Sequence, residues 1–127
     1  NHIPHMQSDF GPASAIGVVD ESGEPLAGIV FHDYQPDYGT VQLSAAAISP
    51  RWASKRIVAS LLSYPFGQLG VHKVWTATQH KNDRALKFNM GVGFVREGTL
   101  RDHFGVGNHA VICRMLKPDY EARYGQI

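Results

Sequence analysis

Arg51, Lys55 and Arg56 sit in a short turn ahead of an apolar pattern of helical spacing. A helix N-terminus offers unpaired N–H groups and partial positive charge, so cations beside one suit a phosphate or another anion. An ordinary strand–loop–helix connection with a solvated basic turn reads the same way. Asn82 precedes a second helical pattern. Asn is a favoured N-cap, and an amide at a helix start can also be shared with a ligand. His32, Asp33 and Glu97 are proton acceptors by type, each near an expected strand end, and no spacing rule selects among them. His103 and His109 flank a Gly-rich turn. Two histidines fall short of the three or four ligands of a zinc site, so no metal is expected. Cys113 lies among Val111, Ile112 and Met115 and reads as a buried thiol. Tyr34, Tyr38 and Tyr64 could line a groove, and Trp52 and Trp75 read as anchors in the core or at a surface.

These residues need a scaffold, and 127 residues with 43% apolar content suit one domain with its own core. The formal net charge of +1 gives no electrostatic footprint for nucleic acid or an anionic membrane. No stretch approaches a membrane span. Residues 1–10 lack the apolar run of a secretion signal, and residues 1–6 are assigned no role. A single cysteine forbids an intrachain disulfide. A cytoplasmic setting is expected.

Residues 15–20 and 26–34 read as strands around the turn cluster 21–25, and residues 40–48 as a third strand after a turn at 35–39. Ser54 is a plausible cap for the helix carrying Ile57, Val58, Leu61, Leu62, Phe66 and Leu69. Gly70 is its stop, and Pro65 should kink or end it early. A strand over 71–78, a helix from Asn82 or Asp83 to Met90, a hairpin over 94–103 and 109–116, and a final helical turn after Pro118 complete the order. The span 40–78 suits a parallel crossover, and the remaining strands should pair antiparallel. The expected fold is α/β, a mixed α+β arrangement with helices on both faces of a mostly antiparallel sheet.

Two stretches resemble the GNAT superfamily of acetyl-CoA-dependent N-acetyltransferases. Residues 46–62, AAISPRWASKRIVASLL, look like the family's strand, Pro step, loop and amphipathic helix. Residues 82–98, NDRALKFNMGVGFVREG, are similar to its Asn-x-x-Ala helix followed by Gly-Phe-x-x-Glu-Gly. The resemblance runs over about residues 15–116 and is closest to the branch of ribosomal-protein N-terminal acetyltransferases. It implies one domain over 1–127 with shortened N-terminal elements, and a splayed parallel pair holding the pantetheine arm. It implies acetyl-CoA as co-substrate, held by Ala46, Ala47, Ile48, Arg51, Ala53, Ser54, Lys55, Arg56, Ile57, Val58, Asn82, Ala85 and Phe88. Ala45, Ala46 and Ala47 are small enough to admit a ligand, or to face a tightly packed helix. Ser54, Arg56 and Val58 replace the family's loop glycines, and Ala53 its leading Gln or Arg.

The implied reaction is direct attack of a primary amine on the thioester in a ternary complex. The base would be Asp33, His32 or Glu97. The family's leaving-group Tyr is Asn89 here, and a thiol of pKa about 8.5 leaves acceptably as thiolate without it. A catalytically inactive CoA-binding or regulatory module is the alternative. The expected partners are a small-molecule or protein amine and neither nucleic acid nor membrane, with a homodimer left open.

Overall fold

The computed structural model describes residues 2–6, 14–47 and 53–127. Its strands are β1 (His2–Met6), β2 (Ser14–Val19), β3 (Pro25–Gln35), β4 (Thr40–Ala47), β5 (Lys73–Gln79), β6 (Val95–Leu100) and β7 (Ala110–Leu116). They form one sheet in the order β1-β2-β3-β4-β5-β7-β6. β4 and β5 run parallel, and every other neighbouring pair is antiparallel. The helices are α1 (Lys55–Ser63), α2 (Asp83–Gly91) and α3 (Lys117–Tyr124). None is long and apolar enough to cross a membrane, among the described residues.

Alternation along the strands sorts the sheet into two unlike faces. Ile16 and Val18 on β2, Ala27, Ile29 and Phe31 on β3, Val41 on β4, Val74 on β5 and Val111, Cys113 and Met115 on β7 are buried together. Cross-strand partners such as Phe31 and Leu43, or Val74 and Met115, share this face. All three helices pack on it. Tyr64, just past α1, tilts against Phe31 with ring centroids 5.3 Å apart, and its hydroxyl bonds Ser14 Oγ at 2.9 Å. Asn89 of α2 reaches Thr76 and Thr78, and Arg123 of α3 crosses Gly93 beside Met115. Among the described residues, the expectation of helices on both faces is therefore met on one face only. The other face carries Gly28, Val30, His32, Gln42, Ser44, Ala46, Trp75 and Ala77, which are half-buried or exposed. Apart from Val30 and Trp75 these are small or polar, so the face offers a helix little to bury against.

Local chemistry explains most boundaries. Asp20 accepts from the Ser22 amide at 2.9 Å, the Ser22 hydroxyl at 2.7 Å and the Glu24 amide at 3.0 Å, which shapes the β2–β3 turn. The Ser22 hydroxyl, followed by backbone donors, holds the Asp20 carboxyl below its ordinary value. The turn's contribution is thus present above the ordinary carboxylate range and is lost as pH falls below that range through the lowered folded value. α1 does not break outright at Pro65. It widens into a π-helical turn, Tyr64–Leu69, which absorbs the missing Pro65 donor. Gly70 ends that turn at φ +72°, as expected of a C-terminal stop. β1 pairs with β2 and was not foreseen. Its Pro4 is tolerated because β1 is an edge strand.

Burial pushes the Cys113 thiol up, so it stays neutral and inert. Phe31 is 2% exposed at the centre of this core, whereas Val106 in the β6–β7 loop is 92% exposed. Phe31→Ala should cost about 3–5 kcal/mol of unfolding free energy. Val106→Ala should stay within about 0.5 kcal/mol. Urea titrations of the two variants check this, and a small loss at Phe31 would place the core elsewhere.

Candidate active site

The parallel ladder between β4 and β5 is short. Thr40 pairs with Lys73, Val41 with Val74 and Gln42 with Trp75, and there it ends. Both strands continue, β4 to Ala47 and β5 to Gln79, held by their outer neighbours β3 and β7. The two strands therefore part, and the gap is a slot of about 720 Å³. Residues 43–46 form one wall and residues 76–79 the other. Past the last pair, the inward N–H and C=O groups of both strands have no ladder partner among the described residues. They stand ready for an extended ligand that binds as an added strand does.

The walls are built small. Ala45 and Ala46 are exposed and face the slot rather than a packed helix, with Ala77 opposite. Because neighbouring residues of a strand point to opposite faces, the slot opens through the sheet. Leu43, Ala45, Thr76 and Thr78 belong to the helix-covered face, and Ser44, Ala46, Ala77 and Gln79 to the open one.

α2 closes the helix side. Asn82 Oδ1 accepts from the Ala85 amide at 3.1 Å, so the cap reading holds. Its amide NH2 makes no hydrogen bond among the described residues, and Asn82 also lines the slot. Both jobs assigned to it are thus geometrically compatible. Ala85, half-buried Phe88 and Asn89 line the slot one turn further on. Asn89 Nδ2 donates to Thr76 Oγ1 at 3.4 Å and Thr78 Oγ1 at 3.3 Å, which ties α2 to the β5 wall.

α1 begins beyond the open end of β4. Ser54 caps it, accepting from the Ile57 amide at 3.2 Å, and the Val58 amide bonds the Ser54 carbonyl at 3.0 Å. The side chains of Ile57 and Val58 are buried in the core. What this stretch can offer an anion is therefore the amides and exposed side chains of Lys55 and Arg56. Both cations lack an acidic partner among the described residues, as does Arg84 on the slot rim. Ala53 is half-buried and does not line the slot. Ala47 pairs with Ala27 at the end of β4. Ile48 and Arg51, and with them Trp52, lie outside the described residues.

The three base candidates part company. Glu97 on β6 accepts from Lys73 Nζ at 3.0 Å and lies 3.4 Å from Arg114 Nε, an ion-pair cluster at the paired end of β5, away from the slot. Asp33 is exposed at φ +53° in the irregularity of β3, and accepts from Gln35 at 2.8 Å. His32 Nε2 lies 2.8 Å from Ser44 Oγ, and Ser44 lines the slot. Tyr64 is committed to the core, while Tyr34 near the end of β3 and Tyr38 in the β3–β4 turn are exposed, outside the slot. Sequence reasoning missed Ser44, Thr76, Thr78, Gln79, Arg84 and Phe104. The period-2 alternation of residues 71–78 carried a signal for the β5 residues. Nothing local marked Phe104, which reaches the slot from the β6–β7 loop.

No family model matches the chain, and no curated protein matches it. Solved structures do. Mutant forms of the spermidine/spermine N-acetyltransferase from Vibrio cholerae align at a TM-score of 0.76 and 18% identity, over 89% of this chain and 72% of that one. The spermidine N-acetyltransferase from Vibrio cholerae in complex with CoA and spermine aligns at 0.73 and 18% identity, over 87% and 69%. A further mutant of that enzyme aligns at 0.74 and 19% identity, over 87% and 67%. The chain has the GNAT fold.

Replacing Asn82 by Ala should lower stability by about 0.5–2 kcal/mol, and Asn82→Ser should recover most of that. Denaturant midpoints measure both. Equal losses in the two variants would mean that the amide is not acting as the cap.

Proposed function

We propose that the chain transfers an acetyl group from acetyl-CoA to a primary amine by direct attack in a ternary complex. The parting of β4 from β5 carries this reading. A slot with free backbone groups, alanine walls and an amide-bearing helix at its side suits an extended pantetheine arm. Asn82, Ala85 and Phe88 would line that arm together with Ala46. The fold shared with acetyltransferases, one of them complexed with CoA and spermine, supports the choice of cofactor.

The pyrophosphate would sit at the start of α1. Arg56 and Lys55 supply side-chain charge where the family uses glycine and backbone. The other departures from that pattern are mild. Val58 turns into the core, and the exposed Ser54 holds the Ile57 and Val58 amides, so the amides left for a phosphate are those of Lys55 and Arg56. The thioester carbonyl would lie near the closed end of the slot, where the inward N–H groups of β4 stabilise the developing oxyanion. As the amine attacks, a C–N bond forms and the C–S bond breaks, leaving CoA thiolate. No carboxylate lines the slot among the described residues, so the acceptor is proposed only as a primary amine. Asn89, an amide that does not ionise in the useful range, favours departure without a dedicated acid.

CoA titrated into the protein by calorimetry should give saturable heat. Arg56→Glu should weaken that affinity about tenfold or more, since a charge-assisted contact becomes a repulsion. No heat at millimolar CoA would reject the reading. Turnover across a panel of amines then separates an enzyme from a module that only binds CoA. In that assay Asn89→Ala should slow turnover only mildly. A loss of roughly several hundred-fold, with CoA affinity intact, would show instead that Asn89 organises proton transfer.

A further inference from the structure

The geometry points to Ser44 and His32 as a two-residue proton relay on the open face of the slot, an inference that rests on the acetyltransferase reading. Ser44 is exposed on the β4 wall, two residues past the last ladder pair, about 7 Å from Gln42. It stands near the closed end, where an arm entering from the free end of β4 would bring its thioester. Its side chain belongs to the helix-free face, from which an acceptor can approach. His32 stands beside it on β3, half-buried, with Nε2 2.8 Å from Ser44 Oγ. The β3 irregularity that follows His32, with Asp33 at φ +53°, bends the strand at this point.

The amine nitrogen attacks the thioester carbon and its proton passes to Ser44 Oγ. The Ser44 proton passes in turn to His32 Nε2, which requires that His32 carry its first proton on Nδ1. The electron pair of the breaking C–S bond leaves on sulfur. Half-buried His32 then releases its proton to solvent. Ser44 is the catalytic residue, and His32 acts through it as a positioning residue. The neighbours of His32 leave it to this task. Gln42, its β4 partner, is uncharged. Asp33 is engaged by Gln35, and Lys73 and Arg114, further along this face on β5 and β7, are held by Glu97. β2 begins at Ser14, opposite Phe31, and brings no described charged group to His32.

The test measures kcat, KM and the pH dependence of kcat/KM for the unaltered chain, Ser44→Ala, Ser44→Thr, His32→Gln and the Ser44→Ala/His32→Gln double variant. CoA affinity is followed by calorimetry. Ser44→Ala and His32→Gln should each lower kcat about 10²-fold at unchanged CoA affinity. The double variant should be no worse than either alone, because the two act as one unit. Ser44→Thr should restore most of the rate, and His32→Gln should remove one ionisation from the pH profile. Additive losses, or a pH profile that survives His32→Gln, overturn the relay while leaving the acetyltransferase standing. An unaltered chain that binds no CoA and acetylates no amine overturns both.

Discussion

The structure turns on a ladder that stops. Between β4 and β5 three residue pairs hold, and the next pair does not form. A parallel ladder buried under helices would normally run on, because unpaired backbone groups away from water cost about 1–3 kcal/mol each. Here the parted edges face a slot open to solvent, so water meets that cost while the slot is empty. The slot's donors and acceptors are thus set in place by folding. A ligand that fills it loses little further backbone entropy on the protein side.

Everything around the gap keeps it open without letting the sheet fail. β3 holds the outer edge of β4 from Gln42 to Ala47, beside the parting, and β7 holds β5 along its whole length. The helix-covered face supplies cohesion. Val41, Val74 and Met115 are fully buried below the point where the strands part, so the core seals the slot's closed end. Asn89 grips Thr76 and Thr78, and Arg123 donates to the Gly91 carbonyl at 2.7 Å, so α2 is held at both its wall and its end. Tyr124 adds a bond from its hydroxyl to the Val92 carbonyl. Gly93 makes the exit from α2 at φ +115°, where a Cβ would come within 2.8 Å of the Arg123 side chain.

Period was enough to read the strands and helices, because burial on one face writes alternation into β3 and a repeating apolar stripe into α1. It placed Ser54 and Asn82 as caps for the same local reason. The slot was less legible. Which pairs form between β4 and β5 depends on residues about thirty positions apart, and no local pattern records where such a ladder ends. The resemblance supplied that feature, and with it Ala46, Asn82, Ala85 and Phe88, all of which line the slot. Tyr64 went astray because an aromatic in a helical stripe reads alike whether its hydroxyl meets Ser14 or a ligand. β1 was missed because a short edge strand takes its order from its partner, not from its own residues.

The two faces of the slot divide the chemistry that the proposed reaction needs. On the helix side, Thr76, Thr78 and Asn89 form a closed set of neutral groups, with no acid among them to protonate a leaving thiolate. On the open side, an imidazole is coupled to a hydroxyl beside the point where the strands part. The family pattern that the sequence resembles carries a tyrosine where this chain has Asn89. Among the described residues lining the slot, none on the helix side is a carboxylate, a histidine or a tyrosine. In the proposed reaction the thiolate would leave unaided, which a thiol's acidity allows, while removal of the amine proton would fall to the side from which the amine arrives. The residue missing from one wall and the pair present at the other are thus two parts of the same arrangement.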